Sequence, residues 1–422
     1  MPTDYSPVER RIANALSKFP AVKKAVKGIY ARLVFLINRQ PSRMTASVHM
    51  DAVGDEGLST FFGYYDKSPV STDGYLLCHA TRAQTHRKPA HGEIDIMVFG
   101  ADDIKHPLLT LTSRTYNWQQ GARAHWLDAR RFIFNDFDQA SKQYISRVID
   151  METGDEAARY ARPVQDSFGR DYFLSINYRR IQALRPDYGY RNMAALTPDE
   201  LSDLDNDGIW KVDQTSGQAV LLYSLAGVCG VDTDPQFGAA AHKVNHVMIS
   251  PDGERFVFLH RYFVRNRKFD RLMLADKYGR KLNVLSAHGM VSHCFWIDSQ
   301  SLLAYMRGPG GKDGYYRVDV DTGGISSLFE GALDGMGDGH PHVHGNWFIT
   351  DTYPDKSRMQ RLVKANLDTG DVMELGRFFQ SFMFGGESRC DLHPRISPDG
   401  SKVFFDSVFD GRRRLYALTI PS

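Results

Sequence analysis

The sequence predicts an all-β chain, a seven-bladed β-propeller preceded by a basic amphipathic helical segment, and three observations carry that prediction. From about residue 45 onward, short strands alternate with Gly, Asp, Asn and Pro turns, with no long helical period. One layout recurs: a histidine, then a turn, then an apolar run, as in "NHVMISPDGERFVFLHRY", "SHCFWIDSQSLLAYMRG", "GHPHVHGNWFITDTY" and "LHPRISPDGSKVFFDS". The leading histidines, His246, His293, His340 and His393, stand 47, 47 and 53 residues apart, the spacing of a four-stranded repeat.

Taken in order, residues 1–42 form the helical segment. Pro7 suits the opening of one helix and Pro20 the start of a second. In "AVKKAVKGIYARLVFLINRQ", Val22, Val26, Ile29, Leu33 and Leu36 recur at helical spacing, with Lys23, Lys24, Lys27 and Arg32 largely elsewhere on the wheel. Arg10, Arg11, Lys18 and Arg39 add to the positive charge, against the single acid Glu9. Such a segment suits an anionic membrane surface through residues 7–40, or packing on the main domain or a second subunit.

Residues 43–422 form the propeller. Three earlier copies of the layout are "YYDKSPVSTDGYLLCHATR", "ARAHWLDARRFIFND" and "ARPVQDSFGRDYFLSIN", which with the four histidine copies make seven. The gap between the third and fourth copies is nearly double, and implies an insertion at about 177–208. "ASVHMDAV" is expected to add an outer strand beside "RLYALTI" and so close the ring.

Composition narrows the function. The 422 residues are 42% hydrophobic and 12% aromatic with a net charge of +2, which gives no global reason to expect nucleic acid. Four cysteines, Cys78, Cys229, Cys294 and Cys390, form no CxxC pair. With no leader-like apolar stretch and no apolar run of about 18 residues, the expected location is cytoplasmic, with a peripheral place at the inner face of the cytoplasmic membrane if the helix binds lipid.

In a propeller the innermost strands line the central channel, so residues about 50 positions apart meet in one pocket. Four imidazoles there could bind a divalent metal or move protons, although singly each could also stitch neighbouring blades together. Tyr65 and Lys67 in the first copy and Arg123 in the second occupy equivalent starts and are candidate substrate contacts. The insertion "NYRRIQALRPDYGYR" interleaves Arg179, Arg180, Arg185 and Arg191 with Tyr178, Tyr188 and Tyr190. Guanidinium forks match carboxylates and tyrosine rings stack on sugars, so a lid gripping an acidic saccharide is one expectation and a solvated hairpin the other.

"VSHCFW", "VNHVMISPDG", "LHPRISPDGSKVFFDSVFDGRRRLY" and "YYDKSPVSTDG" resemble the oligogalacturonate lyases, cytoplasmic seven-bladed propellers that cleave unsaturated oligogalacturonides by β-elimination with a manganese-type metal. The resemblance implies that His293 and His393 are metal ligands and that His246 lies at the substrate site, as the base. Where the family has a glutamine and a further histidine before the last ligand, this chain has Ser388 and Asp391; Asp391 suits a hard cation. His340, with His342 and His344, adds potential ligands. The implied cofactor is a divalent metal, manganese first and zinc or calcium as alternatives. The implied partner is an acidic, uronate-containing oligosaccharide, gripped by Arg179 and Arg185 beside His246. Two other readings stand beside this one: a membrane-associated enzyme of glycan assembly such as a glycosyltransferase, and a non-catalytic carbohydrate-binding or scaffold propeller.

Overall fold

Seven antiparallel sheets, six of four strands and one of five, follow one another along the chain at 59–113, 125–160, 166–224, 241–286, 291–328, 342–379 and 395–419, the last two each joined by a strand from the N-terminal side, and form blades 1 to 7 of a β-propeller. This architecture is seen in a computed structural model that describes residues 20–420 apart from Ser47, Ala101 and Asn266, and, within residues 20–27, only the side chain of Val26. The expected helix opened by Pro7, with Glu9, Arg10, Arg11 and Lys18, lies outside the described residues.

Ring closure comes from the N-terminal side. Met50–Ala52 pairs antiparallel with Arg414–Thr419, Asp51 opposite Ala417, and supplies the outermost strand of blade 7. The strand "ASVHMDAV" therefore closes the ring as the sequence implied. Met44–Ala46 adds a fifth strand to blade 6 by pairing with Val372–Phe379, which the repeat did not foreshadow. Both joins remove sheet edges that would otherwise be open to pairing.

The Pro-Asp-Gly turns show why the repeat is spelled as it is. Ser250 and Ser397 each donate a hydroxyl hydrogen bond to the aspartate two residues on, Asp252 and Asp399, and the following Gly253 and Gly400 take φ of +71° and +74°, where a Cβ would be strained. Apolar side chains then alternate into the spaces between blades; Phe256, Val257, Phe258 and Leu259 are all fully buried because blade 4 is covered on both faces.

Blades are sewn to their neighbours by buried carboxylates that accept from backbone N–H groups of the next innermost strand. Asp166 of blade 3 accepts from Ile249 at 2.6 Å, Asp351 of blade 6 from His393 at 3.1 Å, and Asp406 of blade 7 from Phe62 and Gly63 at 3.0 and 3.1 Å. Between the second and third strands of blade 3 the chain leaves the sheet for helices Tyr178–Leu184 and Pro198–Ser202 and the short turn Pro186–Tyr188. This excursion lies over one end of the channel: Asn117 donates to the Tyr188 carbonyl, Arg389 pairs with Asp187, and Arg191 pairs with Glu387.

Helix Pro20–Asn38 lies against blade 6 through Phe35, whose ring meets Phe379 and Phe382 at 5.6 Å each. Among the described residues, no helix is long and apolar enough to cross a membrane.

Candidate metal and substrate site in the channel

The four leading histidines converge at one end of the channel. His246 and His293 lie in the innermost strands of blades 4 and 5, and His340 and His393 just ahead of those of blades 6 and 7. Their rings form a continuous arc, with centroids 5.4 Å apart from His246 to His293, 4.2 Å from His293 to His340 and 4.2 Å from His340 to His393. Blade 1 completes it: the Tyr64 ring lies 5.3 Å from His246 and 5.1 Å from His393, and Tyr65 is 5.6 Å from His293 and 5.5 Å from His340.

The backbone is bent to aim these groups. His246 and His393 take φ of +52° and +43°, as does Arg123 of blade 2 at +55°. A left-handed non-glycine residue costs about 1–3 kcal/mol and persists where the surrounding fold insists on it. Register shifts between Asn245 and Met248, and between Val291 and His293, interrupt the ladder at the same place. The innermost strands therefore give up regular pairing where their side chains enter the channel.

Hydrogen bonds fix the tautomers. His393 donates Nδ1–H to the Gly63 carbonyl at 2.6 Å; His340 and His293 donate theirs to Asp351 at 2.8 Å and Asp338 at 3.0 Å. The Nε2 atoms of His340 and His393 are left buried with no hydrogen-bond partner, as is Oδ1 of Asp391, whose other oxygen accepts from Arg389 at 2.7 Å. His340, Asp391 and His393 offer ligand atoms within 4.8 Å of one another. Orienting carboxylates or carbonyls on Nδ1 and open lone pairs on Nε2 are the arrangement metal-binding histidines adopt, so the residues present fit a divalent cation. His293 stands beside the group, against His340.

A second cluster, Cys229, His242 and His260, fits a metal less well. Arg271 donates to His260 Nδ1 at 3.0–3.1 Å, so His260 carries its proton on Nε2 and gives it to His242 Nδ1 at 2.9 Å, while His242 donates to the Phe237 carbonyl. Every ring nitrogen is engaged, and the guanidinium repels a cation.

Burial sets the charge states. His293 is pushed down to about 4 by burial, and His246 and His393 are held well below the ordinary histidine value, first by burial and then by nearby cationic groups. For His340, burial pulls the same way but the Asp351 carboxylate outweighs it, and the net shift is upward. Tyr64 hydrogen-bonds His246 through its hydroxyl.

Several cations stand around this arc. Arg185 and Arg389 keep 26% and 20% of their side-chain surface accessible, and both pair with Asp187. Lys243, fully buried, has no hydrogen-bond partner for Nζ, and burial followed by repulsion from Arg261 and Arg185 holds its pKa well below the usual 10.5. Lys268 and Arg261 share one acid, Asp270. Lys243 is therefore the one of these five cations without a carboxylate partner.

The remaining residues singled out from sequence fall in several places. Tyr188 reaches the arc, its ring 5.9 Å from Tyr64 and 6.0 Å from His246, and Arg185 lies over that ring at 4.5 Å. Arg191 sits at the rim, paired with Glu387. Arg179 is not brought to the channel; it bonds the Ala194 carbonyl and Glu200 within the insertion. Arg123 is buried and gives both guanidinium nitrogens to Asp66 at 3.0 and 2.8 Å, Lys67 pairs with Asp166 at 2.5 Å, and Tyr65 donates across the channel to the Cys294 carbonyl at 2.9 Å. His342 donates to the Tyr65 carbonyl. Sequence reasoning missed Asp338, Asp351, Tyr64, Lys243 and Arg389. A signal for Asp351 existed: "FITD", "FFDS" and "FIFND" each place an aspartate, Asp351, Asp406 and Asp136, within the last three residues of a second strand.

Neither a protein-family model nor a curated protein matches the sequence. The structure does find relatives. An oligogalacturonate lyase from Vibrio parahaemolyticus superposes with a TM-score of 0.58 over 91% of this chain and 99% of its own, at 14% identity. An oligogalacturonate lyase in complex with manganese gives 0.60 over 90% and 98%, also at 14% identity. At that identity the likeness shows the fold: this chain is a seven-bladed propeller of the architecture those lyases have.

Proposed function

We propose that the chain is a carbohydrate-active enzyme that cleaves an acidic, uronate-containing oligosaccharide by metal-assisted β-elimination at the histidine arc. The observation that carries this reading is the three unpartnered ligand atoms, on His340, Asp391 and His393, on the same arc as the neutral His246. The likeness to a manganese-bound lyase adds support.

A β-elimination removes the proton alpha to a uronate carboxylate, places that electron pair in a new carbon–carbon double bond, and expels the glycosidic oxygen in the β position. The residues would divide the work by position. His340, Asp391 and His393 would hold the metal, with Asp351 orienting His340, and two imidazoles with one carboxylate suit manganese or zinc better than calcium. When bound, such a cation polarises a carboxylate and stabilises charge that builds on it. Arg185, Arg389 and Lys268 attract and orient the anionic sugar. His246, kept neutral by burial and hydrogen-bonded by Tyr64, would accept the proton, and the negative charge of a bound uronate would raise its basicity. Tyr188, from the insertion, covers the arc.

The test is a set of uronate oligosaccharides incubated with manganese-loaded protein and followed for an unsaturated product absorbing in the ultraviolet. Product formation by the parent, lost in His246→Gln and in His393→Ala, is expected. Absence of product from every uronate tested, with metal bound stoichiometrically, would overturn the lyase reading and favour glycosyl transfer or carbohydrate binding without chemistry.

A further inference from the structure

We infer that helix Pro20–Asn38 docks this protein on an anionic lipid bilayer surface, with its apolar row toward the lipid. One side of the helix is used by the propeller: Phe35 is wedged between Phe379 and Phe382, and Arg32, Arg43 and Arg358 stack over the same two rings at 4.8–5.7 Å. Among the described residues, the other side is exposed. Ile29, Leu33, Leu36 and Ile37 are 60%, 55%, 66% and 84% exposed, and Val26 continues the row one turn earlier. Five large apolar side chains in line on a helix that is already anchored from behind form a patch that water does not favour.

Charge selects the occupant. Residues 7–40 carry eight Lys and Arg against one acid, a net +7 in a chain whose total is +2, so the remainder of the protein is net −5. A second copy meeting this face would set one +7 segment against another. An anionic bilayer complements the segment and repels the rest, which holds the molecule with the helix toward the membrane. Arg32, Arg39 and Arg43 are exposed on the helix and in the segment that follows it.

The position of the helix gives the docking a consequence. Asn38 and Gln40, at its end, line a recess of about 300 Å3 whose other wall includes Asp338 and Tyr353. Asp338 is the carboxylate that holds His293, and the Tyr353 ring lies 5.7 Å from His340. The recess between helix and blades thus backs onto the histidine arc, and a docked molecule would work on glycan held at or near the bilayer. The docking itself does not depend on the lyase reading, because its test needs no catalysis.

The experiment is co-sedimentation of the full chain with vesicles of phosphatidylcholine alone and of phosphatidylcholine mixed with phosphatidylglycerol. The parent is expected to sediment with the anionic vesicles and to be released by salt. A variant with Ile29, Leu33, Leu36 and Ile37 all changed to Ser should bind at least about tenfold more weakly, with an unchanged thermal midpoint because these side chains are largely exposed. Parent protein left in the supernatant with both vesicles, or a variant that sediments as the parent does, would overturn the inference. A parent dimer by light scattering that the variant does not form, without lipid binding, would assign the face to a second copy instead.

Discussion

The two sides of the channel use the same repeat position in opposite ways. On the side of blades 1 to 3, the polar groups have partners: Arg123 with Asp66 through its two terminal nitrogens, Nε alone being left open, Lys67 with Asp166, and Asn135 with Tyr190 and the Val164 carbonyl. On the side of blades 4 to 7, the equivalent groups are histidines and an aspartate with bare ligand atoms, beside a lysine with no partner. Both sides are buried, and the left-handed backbone of Arg123 matches that of His246 and His393. The backbone device is shared, and satisfaction of the polar atoms is what differs. A buried group whose partners are complete holds blades together, whereas one left incomplete costs stability unless something binds to it.

That contrast can be broken first at its strongest contact. Asp66→Ala should leave Arg123 as an uncompensated buried cation and lower the unfolding free energy by about 3–5 kcal/mol, read by chemical denaturation. A loss under about 1 kcal/mol would mean that the saturated side is not what holds blades 1 and 2 together. Asp351→Asn bears on the other side: with the carboxylate that orients His340 gone, manganese affinity measured by titration should fall about 10- to 100-fold. Unchanged affinity would remove His340 from the metal group.

Lys243→Met sharpens the comparison in the opposite direction. Removing a buried, unpartnered amine should stabilise the protein by about 1–3 kcal/mol at neutral pH, with loss of turnover if the amine serves the substrate. The sign follows from the folded pKa lying below the unfolded 10.5. Below the unfolded value the unfolded chain holds the proton more tightly, so the parent carries a penalty that shrinks as pH rises toward 10.5. The stabilisation by Lys243→Met should shrink in step. A variant less stable than the parent at neutral pH would show that Lys243 has a partner in solution.

The smallest effect is expected at the rim. Glu387→Gln releases Arg191 at a partly exposed ion pair and should cost about 0–1 kcal/mol, while raising KM more than it lowers kcat if the insertion opens and closes over the substrate. Equal changes in both would argue against a lid.

Much of the candidate site could be read before the structure, though unevenly. The four histidines were legible because radial closure turns sequence spacing into spatial convergence. The roles of Arg123, Lys67 and Tyr65 were not, since nothing in their repeat position says whether a partner waits across the seam; Asp66 is a sequence neighbour of two of them and yet its pairing with Arg123 is made only in the folded ring. Lys243 escaped notice for a similar reason. A lysine three residues before His246 looks like an ordinary strand charge until Arg261, Arg185 and the lid enclose it.

By itself, then, the sequence determined the blade count, the strand that closes the ring, the histidines that meet at its centre and the basic, amphipathic character of the first helix. All of these follow from local period and chain spacing, which propagate along the chain without knowledge of what lies opposite. Only the tertiary structure decided which buried polar atoms are satisfied and which are open, which side of the helix faces the blades, and that Asp351 and Asp338 stand behind the histidines. Those depend on contacts between residues far apart in sequence, and satisfaction of a buried group is a property of its surroundings rather than of the residue that carries it.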